Sequence, residues 1–382
     1  MKVLIVTPYF HPHVGGMEKY AYAISNGLRE KYNWEVVIVT SNHDERKYLE
    51  EILDNIKIYR LIRWFNISNT PVNPLWYFYI KNIIKKEKPD VINAHTPVPF
   101  ISDVTARVSG GIPFVLTYQA ASLYKYKNPV FNTLAFLYKI FMERSTLKKA
   151  RIIIAGSDFV KMKFPLRLKE KIVVINNSIS EEDILLKKIN IENNRIIFIA
   201  SLDKTHSWKG LDKIIEAVKY YTQNFGKSIE LMIMGDGNHK RHYEELTEKL
   251  EITKYVRFIG TKFAGDYYSF LRKAKILVVY PTTSNDGFPT VILDAWANLV
   301  TVIASNIGPL PYIIEDKKTG YLVKPNSPKD LAEGIKYLMH DENLCDELIR
   351  NGLNEVRNFT WEKNLEVTHK LFMDLCDNKT NA

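Results

Sequence analysis

Cysteine is nearly absent: Cys345 and Cys376 are the only two in 382 residues. So few exclude a disulfide framework and fit a reducing compartment. Neither lies in a metal-ligand or redox spacing. No apolar run approaches the roughly 18 residues that a spanning helix requires. The first residues, Lys2 to Thr7, read as a strand, so no signal peptide is expected. G-x-G-x-x-G is missing, which leaves the nicotinamide fingerprint without support. No zinc spacing or nucleic-acid module is recognisable, which argues against nucleic acid as a partner.

What is present points to two soluble-type cores. A chain of this length outgrows one core, and its apolar fraction of 46% is ordinary for a globular protein. The formal charge of +10 is unevenly spread. Residues 1–180 hold 26 Lys+Arg against 14 Asp+Glu, whereas the rest hold 27 against 29. The whole basic excess therefore sits in the N-terminal half. That asymmetry suggests an anionic partner there: a membrane surface, a nucleic acid or an anionic substrate.

Along the first half, short apolar runs alternate with helical periods and end in polar tips. Val3–Val6 leads through a glycine-bearing loop into a helical period from Tyr20 to Leu28. Gly15 and Gly16 in that loop can let backbone N–H groups approach a ligand, or simply form a turn. His11 and His13 flank Pro12 without a third metal ligand nearby. Further strands are expected at Glu35–Thr40, Ile56–Leu61, Val91–Ala94, Phe114–Thr117, Ile152–Ala155 and Val173–Ile175. On that reading His95, Gln119 and Ser157 fall at strand ends on one rim of a parallel, doubly wound sheet. Two segments, Pro74–Lys88 and Pro129–Lys149, mix large aromatics with lysines. Each reads either as an interfacial helix at a membrane or as a core-facing helix with a solvated basic side.

The second half repeats the pattern after a polar connector, Ile179–Asn194. Strands are expected at Arg195–Ala200, Glu230–Met234, Val256–Gly260 and Ile276–Tyr280, with a helix over Tyr267–Lys273. Lys204 and Lys209 stand in the loop before a helix, where cations meet a diphosphate well. The second strand ends in G-D-G, Gly235–Gly237. The most informative stretch is Ser284–Ser305, S-N-D-G-F-P-T-V-I-L-D-A-W-A-N-L-V-T-V-I-A-S. Pro289 suits a first helical position. Asp286 then lies at the mouth of a helix and Asp294 in its early turns, at a strand's carboxyl end, where α/β sheets bind ligands. Both acids could equally be a cap and a solvated face. Asp294, set between Leu293 and Ala295, needs a hydrogen-bonding partner if buried. Two such layers facing a cleft would make that cleft the default site. Thr360 can cap a final helix.

The pieces together resemble the family 4 glycosyltransferases of the GT-B fold, over nearly the whole chain. The resemblance is carried by G-G-M-E at Gly15, N-A-H-T-P at Asn93, R-I-I-I-A-G-S at Arg151 and I-N-N-S-I at Ile175. It continues with W-K-G at Trp208, M-G-D-G at Met234, D-G-F-P-T-V-I-L-D-A-W-A at Asp286 and G-Y-L-V at Gly320. It implies an α/β protein of two doubly wound Rossmann-like domains. Their expected bounds are 1–178 with 362–382 on the acceptor side, and 179–361 for the nucleotide sugar. The helix from Trp361 would cross back onto the N-terminal domain.

The implied activity is retaining, hexosyltransferase-type transfer from a UDP- or GDP-sugar, with no cofactor and no metal ion. No D-x-D occurs in the chain. By resemblance, Asp294 and Asp286 match the two acids of the E-x7-E motif, which hold the donor ribose and the donor sugar hydroxyls. Phe288, Pro289 and Thr290 match the turn whose amides meet sugar or diphosphate. Lys209 matches the phosphate-binding lysine, and Gly15 and Gly16 the glycine loop. Lys209, Asp286 and His95 are the catalytic candidates. Gly15, Gly16, Lys204, Lys209, Gly235, Phe288, Pro289, Thr290 and Asp294 are donor-binding candidates, and His95 and Gln119 shape the acceptor side.

The chain departs from the family pattern at five positions. Both motif glutamates are aspartates. Serine replaces the arginine near Ser201, leaving Lys204 or His206 as substitutes. Gln119 stands for an active-site histidine, and Tyr312 for a glutamate. The acceptor is expected to be a lipid-linked or polysaccharide-precursor glycan. The protein would be cytoplasmic, with peripheral contact to the inner membrane face. The alternatives are a nucleotide-sugar epimerase or hydrolase of this architecture, and a non-catalytic nucleotide-sugar-binding partner of a transferase.

Overall fold

A computed structural model describes residues 1–13, 15–43, 45–67, 70–96, 98–119, 129–185, 194–226 and 228–380. Pro97 of the N-A-H-T-P stretch and residues 186–193 of the expected connector lie outside them. The chain divides into two compact units, Met1–Asn177 with Trp361–Ala382, and Ser178–Thr360.

In the first unit, β1 (Lys2–Val6) is followed by α1 (Gly16–Tyr32), β2 (Glu35–Ser41), β3 (Leu49–Leu53) and β4 (Ile56–Leu61). A small antiparallel hairpin, β5 (Phe65–Ile67) with β6 (Thr70–Val72), precedes α2 (Trp76–Glu87). Then come β7 (Val91–Thr96), α3 (Ile101–Val108), β8 (Phe114–Tyr118), α4 (Pro129–Tyr138), α5 (Arg144–Lys149), β9 (Ile152–Ala155), α6 (Asp158–Met162) and β10 (Ile172–Val174). The eight-stranded sheet runs β10-β9-β8-β7-β1-β2-β4-β3. Every pairing is parallel except the edge strand β3.

The strands are continuous apolar runs because both faces of the sheet are covered. Alternate residues feed two cores. Leu4, Val6, Val37 and Ile92 pack with Trp76 and Ile80 of α2 and with Val104 of α3. Val3, Ile5, Val36 and Ile38 pack with Ile24 and Leu28 of α1. The second core also takes Leu365 and Phe372 of the terminal helix Trp361–Thr380, which lies against α1.

The second unit repeats the plan. Its strands are β11 (Arg195–Ile199), β12 (Glu230–Met234), β13 (Val256–Gly260), β14 (Ile276–Val279), β15 (Thr301–Ser305) and β16 (Tyr321–Val323). Between them lie α7 (Leu211–Phe225), α8 (Lys240–Lys249), α9 (Ala264–Leu271), α10 (Val291–Ala297) and α11 (Leu310–Ile313). Then α12 (Pro328–His340), α13 (Glu342–Val356) and the terminal helix, α14, follow. The sheet is all parallel, in the order β13-β12-β11-β14-β15-β16. Again Ile196 and Phe198 serve one core and Ile197 the other.

Strand order reverses between β1 and β7 in the first unit, and between β11 and β14 in the second. Loops leaving the carboxyl ends of strands at such switch points diverge and leave a crevice. The relevant loops are residues 7–15 in one unit, and residues 200–210 and 280–290 in the other.

Candidate active site

At the switch point of the second unit, the chain leaves β11 through Ala200–Asp203 and makes a short 3-10 helix, Lys204–Lys209. The chain leaving β14 reaches α10 through Tyr280–Thr290. The two loops are stitched together: Thr282 N–H donates to the Trp208 carbonyl at 2.8 Å, and its hydroxyl does so at 3.2 Å. This sets Lys209 against Asp286, and the two side chains form an ion pair. The Lys209 ammonium also lies 4.5 Å from the centre of the Trp208 ring, which adds a cation–π attraction. Both partners are partly shielded from solvent, so the pair is screened less than a surface bridge.

Asp294 lies four residues into α10, and its carboxylate accepts a hydrogen bond from the Tyr267 hydroxyl of α9 at 2.6 Å. Burial, then the neighbouring Asp294 charge, pushes the Tyr267 phenol well above its ordinary range, so it stays a donor. The partner that Asp294 requires is thus supplied by the protein itself. Helix α10 starts at Val291 with Thr290 as its cap. The expectation that Pro289 is the first helical residue is corrected: it precedes the cap. Phe288 and Pro289 are both buried. The Phe288 ring packs 5.6 Å from that of Phe359, in the core. Thr290 is half-buried.

Gly235 has φ +144°, and a Cβ there would lie 1.9 Å from the Ala200 carbonyl oxygen. The chain's own packing therefore demands glycine at 235. Lys204 is exposed. Ser201 donates to Asp203 at 2.9 Å. Asp203 also accepts from the Asn238 N–H at 3.0 Å, and that bond first, then the Ser201 hydroxyl, lowers its pKa against the opposing effect of burial.

In the first unit, the loop after β1 carries a pair that sequence reasoning missed. His13 Nδ1 lies 2.8 Å from Glu18 Oε1. Because a carboxylate only accepts, Nδ1–H is the donor in this contact, on a half-exposed ring. The rings of Tyr9, His13 and His43 cluster beside it, with centroids 5.1 Å, 4.4 Å and 5.4 Å apart in the pairs Tyr9–His13, Tyr9–His43 and His13–His43. The usable signal was Glu18 three residues after Gly15, the spacing of a residue that reaches back over a helix start. A Cβ on Gly15 would come within 2.3 Å of Glu18 Oε2, whereas one on Gly16 would meet nothing within 4 Å. Gly15 makes room for a carboxylate, and Gly16 opens onto solvent.

His95 is corrected. Strand β7 runs through Thr96, so His95 is inside the sheet and not at its rim. Its side chain is fully buried, and burial pushes the imidazole down to about 3. It is a neutral ring bonded to Asn93 Oδ1 at 3.0 Å, with no surface for an acceptor to touch. Gln119 does follow the end of β8, where its backbone N–H bonds the Thr96 carbonyl at 3.1 Å. Its side-chain Nε2 is buried without a hydrogen-bond partner among the described residues. Among those residues no group of three or more His, Cys, Asp or Glu is placed to hold a metal ion. Among the described residues no helix is long and apolar enough to cross a membrane.

Comparison with known proteins covers both units. Residues 14–183 match the family described as Glycosyltransferase Family 4, and residues 181–355 match Glycosyl transferases group 1. An uncharacterized glycosyltransferase of Methanocaldococcus jannaschii is 28% identical over 380 residues, 99% of each chain. The capsular polysaccharide biosynthesis glycosyltransferase CapM of Staphylococcus aureus is 26% identical, over 92% of this chain and 93% of its own. Among solved structures, sucrose-phosphate synthase from Thermosynechococcus elongatus superimposes with a TM-score of 0.82 at 18% identity, over 98% of both chains. Anabaena HepE in complex with UDP and glucose gives 0.73 at 15% identity, over 98% of this chain and 100% of its own. At such identities these structures speak for the fold, two Rossmann-like layers of the GT-B type.

Proposed function

Since the chain belongs to the family 4 glycosyltransferases and is a sugar-transferring enzyme, we propose that it moves a hexose from a UDP- or GDP-sugar to a glycan acceptor with retention of configuration. The observation that carries this reading is the meeting of Lys209 and Asp286 at the switch point of the second unit. A cation and an acid, pre-set on two stitched loops, match the two ends of a sugar diphosphate. The donor's diphosphate takes the Lys209 ammonium from Asp286. The released carboxylate is then available to the sugar hydroxyls.

Departure of the nucleoside diphosphate builds negative charge on a phosphate oxygen. Positive charge already in place there lowers the barrier without reorganisation. Lys209, with exposed Lys204 nearby in sequence, supplies it, and the proposal calls for no metal ion. The acceptor hydroxyl attacks on the face the diphosphate leaves, and its proton passes to the leaving phosphate oxygen. No strong protein base is then required, which suits a first unit whose one buried histidine, His95, is neutral. Asp294, already oriented by Tyr267, holds the ribose. The amides around Phe288–Thr290 meet the sugar, the loop of Gly15 and Gly16 lies by the diphosphate and the acceptor, and Gln119 serves the acceptor.

CapM is named for capsular polysaccharide biosynthesis, and HepE is described with UDP-glucose. The first is consistent with a polysaccharide-precursor acceptor and the second with a nucleotide-sugar donor; a lipid-linked acceptor at the inner membrane face is part of the same proposal. The test is a thermal-shift panel of UDP- and GDP-sugars, followed by transfer from the best binder to a lipid extract. The anomeric configuration of the product is read by NMR. A β-linked product from an α-linked donor overturns retention, and failure of every nucleotide sugar to raise the melting temperature overturns the donor assignment.

A further inference from the structure

Two helices of the first unit share a composition of aromatics and lysines, yet they face opposite ways. Helix α2 behaves as an ordinary surface helix. Trp76, Ile80, Ile83 and Ile84 form one stripe and are buried in the core. The segment Pro129–Lys149 is inverted. Of α4, only Ala135 is buried. Val130, Leu134, Leu137 and Phe141 recur at intervals of four, three and four, which places them on one helical face. That face is turned outward: Val130 is 72% exposed and Phe141 71%. Phe136 and Ile140 beside it are exposed too.

This orientation is fixed from below. Between α4 and α5 lies one π-helical turn, Lys139–Glu143, a local widening that often marks functional places. Tyr138 donates to Asp103 of α3 at 3.3 Å, and Thr146 of α5 donates to the same carboxylate at 2.5 Å. Glu143 accepts from Tyr118 at the end of β8 at 2.7 Å. Both carboxyls are buried, and burial pushes them above their ordinary range. Rotating the segment to hide its apolar face would strip all three bonds from buried groups.

An apolar face held outward needs something to cover it. The charges say what. Arg144, Lys148 and Lys149 are exposed in the turn that follows the apolar stripe. Glu143 is the one acid of the segment, and it points inward to Tyr118. An exposed apolar stripe with a basic collar and no exposed acid matches the interface of an anionic bilayer, where acyl chains lie below a negative surface. The basic excess of residues 1–180 acts in the same direction. We propose that the outward face of residues 130–141 inserts into the surface of an anionic membrane, with Arg144, Lys148 and Lys149 against its headgroups.

This inference does not depend on which sugar is transferred, and its test does not read transfer. The full chain is sedimented with vesicles of phosphatidylcholine alone, and with vesicles in which about one third of the lipid is phosphatidylglycerol. The expected result is binding to the anionic vesicles, little to the neutral ones, and weakening by salt. The triple variant Phe136→Ser, Leu137→Ser, Phe141→Ser should lose more than about tenfold in partition. Lys148→Glu with Lys149→Glu should lose a similar amount. Both sets alter exposed side chains, so the melting temperature stays within a few degrees of the parent and certifies the fold. Sedimentation of the triple variant at the parent's level overturns the proposal, as does a parent that ignores anionic vesicles. A concentration-dependent dimer that Phe141→Ser dissolves also overturns it, by assigning the face to a second copy of the chain.

Discussion

The ammonium of Lys209 and the carboxylate of Asp286 form an ion pair that ties together two loops 77 residues apart in sequence. Both groups belong to the donor reading, so the two substitutions should have opposite effects on the nucleotide. Lys209→Ala removes charge where the diphosphate leaves, and transfer should fall by about 100- to 1,000-fold. Asp286→Asn removes the acid that competes for that ammonium. It should tighten free UDP or GDP several-fold while transfer of the sugar falls. Calorimetric titration of the nucleotide and steady-state transfer separate the two. Near-parental turnover in Lys209→Ala would remove the lysine from the mechanism.

Tyr267 and Asp294 give the second prediction. Tyr267→Phe deletes the phenol that donates at 2.6 Å to a half-buried carboxylate. Losing a hydrogen bond to a charged group of this kind lowers stability by about 1.5–3 kcal/mol. If Asp294 holds the ribose, the same variant loosens nucleotide binding, because the carboxylate is no longer held in one orientation. Chemical denaturation measures the first effect and nucleotide titration the second. A loss of stability with unchanged nucleotide affinity would make the pair purely structural.

How much of this was legible beforehand depends on the range of the interaction. The buried strands announced themselves as continuous apolar runs, and Glu230–Met234 falls where the pattern puts it. The edge strand Leu49–Leu53 and the hairpin Phe65–Val72 did not, because strands exposed at an edge lack that signature. His95 was misread through a two-residue error. The strand runs on through Thr96, and extending it moves a side chain from the rim to the interior. The acids Asp286 and Asp294 could be marked in sequence, but their partners could not. Lys209 and Tyr267 arrive through the order of strands in the sheet, which no local pattern encodes. The same holds for Pro129–Lys149, whose apolar period is plain while the direction it faces is set by Asp103 and Tyr118 on other elements.

The adjacent glycines of the first loop separate a structural need from a ligand's need. Gly15→Ala would bring a methyl within 2.3 Å of Glu18 Oε2 and push that carboxylate off His13. Gly16→Ala would meet nothing within 4 Å, in a residue with ordinary helical geometry. Its stability should stay within about 0.5 kcal/mol of the parent or rise slightly. If the open space at Gly16 is where substrate approaches, Gly16→Ala nonetheless lowers transfer, by up to about 100-fold. Gly15→Ala should match Glu18→Ala in transfer, since both break the same contact. Full activity in Gly16→Ala would leave that space unused.

Glu87 yields a pH dependence of stability. Its carboxylate lies 2.7 Å from the Lys57 ammonium and 3.2 Å from that of Lys2, and it accepts from the Tyr59 hydroxyl. Burial alone would raise its pKa, but Lys57, Tyr59 and Lys2 outweigh it and bring the group from 4.5 to about 2. A carboxyl whose pKa is depressed by folding binds its proton first in the unfolded chain. The stability it contributes is therefore fully present above pH 4.5 and disappears as the pH falls towards 2. Glu87→Gln keeps the size and one acceptor but removes the charge that three donors share. It should be less stable than the parent at neutral pH, by about 1.5–3 kcal/mol, with the gap closing through that acid window. Denaturant midpoints measured at pH 7 and at successive acid steps follow the difference. A gap that stays constant down to pH 3 would mean that the ion-pair network at Glu87 acts through packing and not through charge.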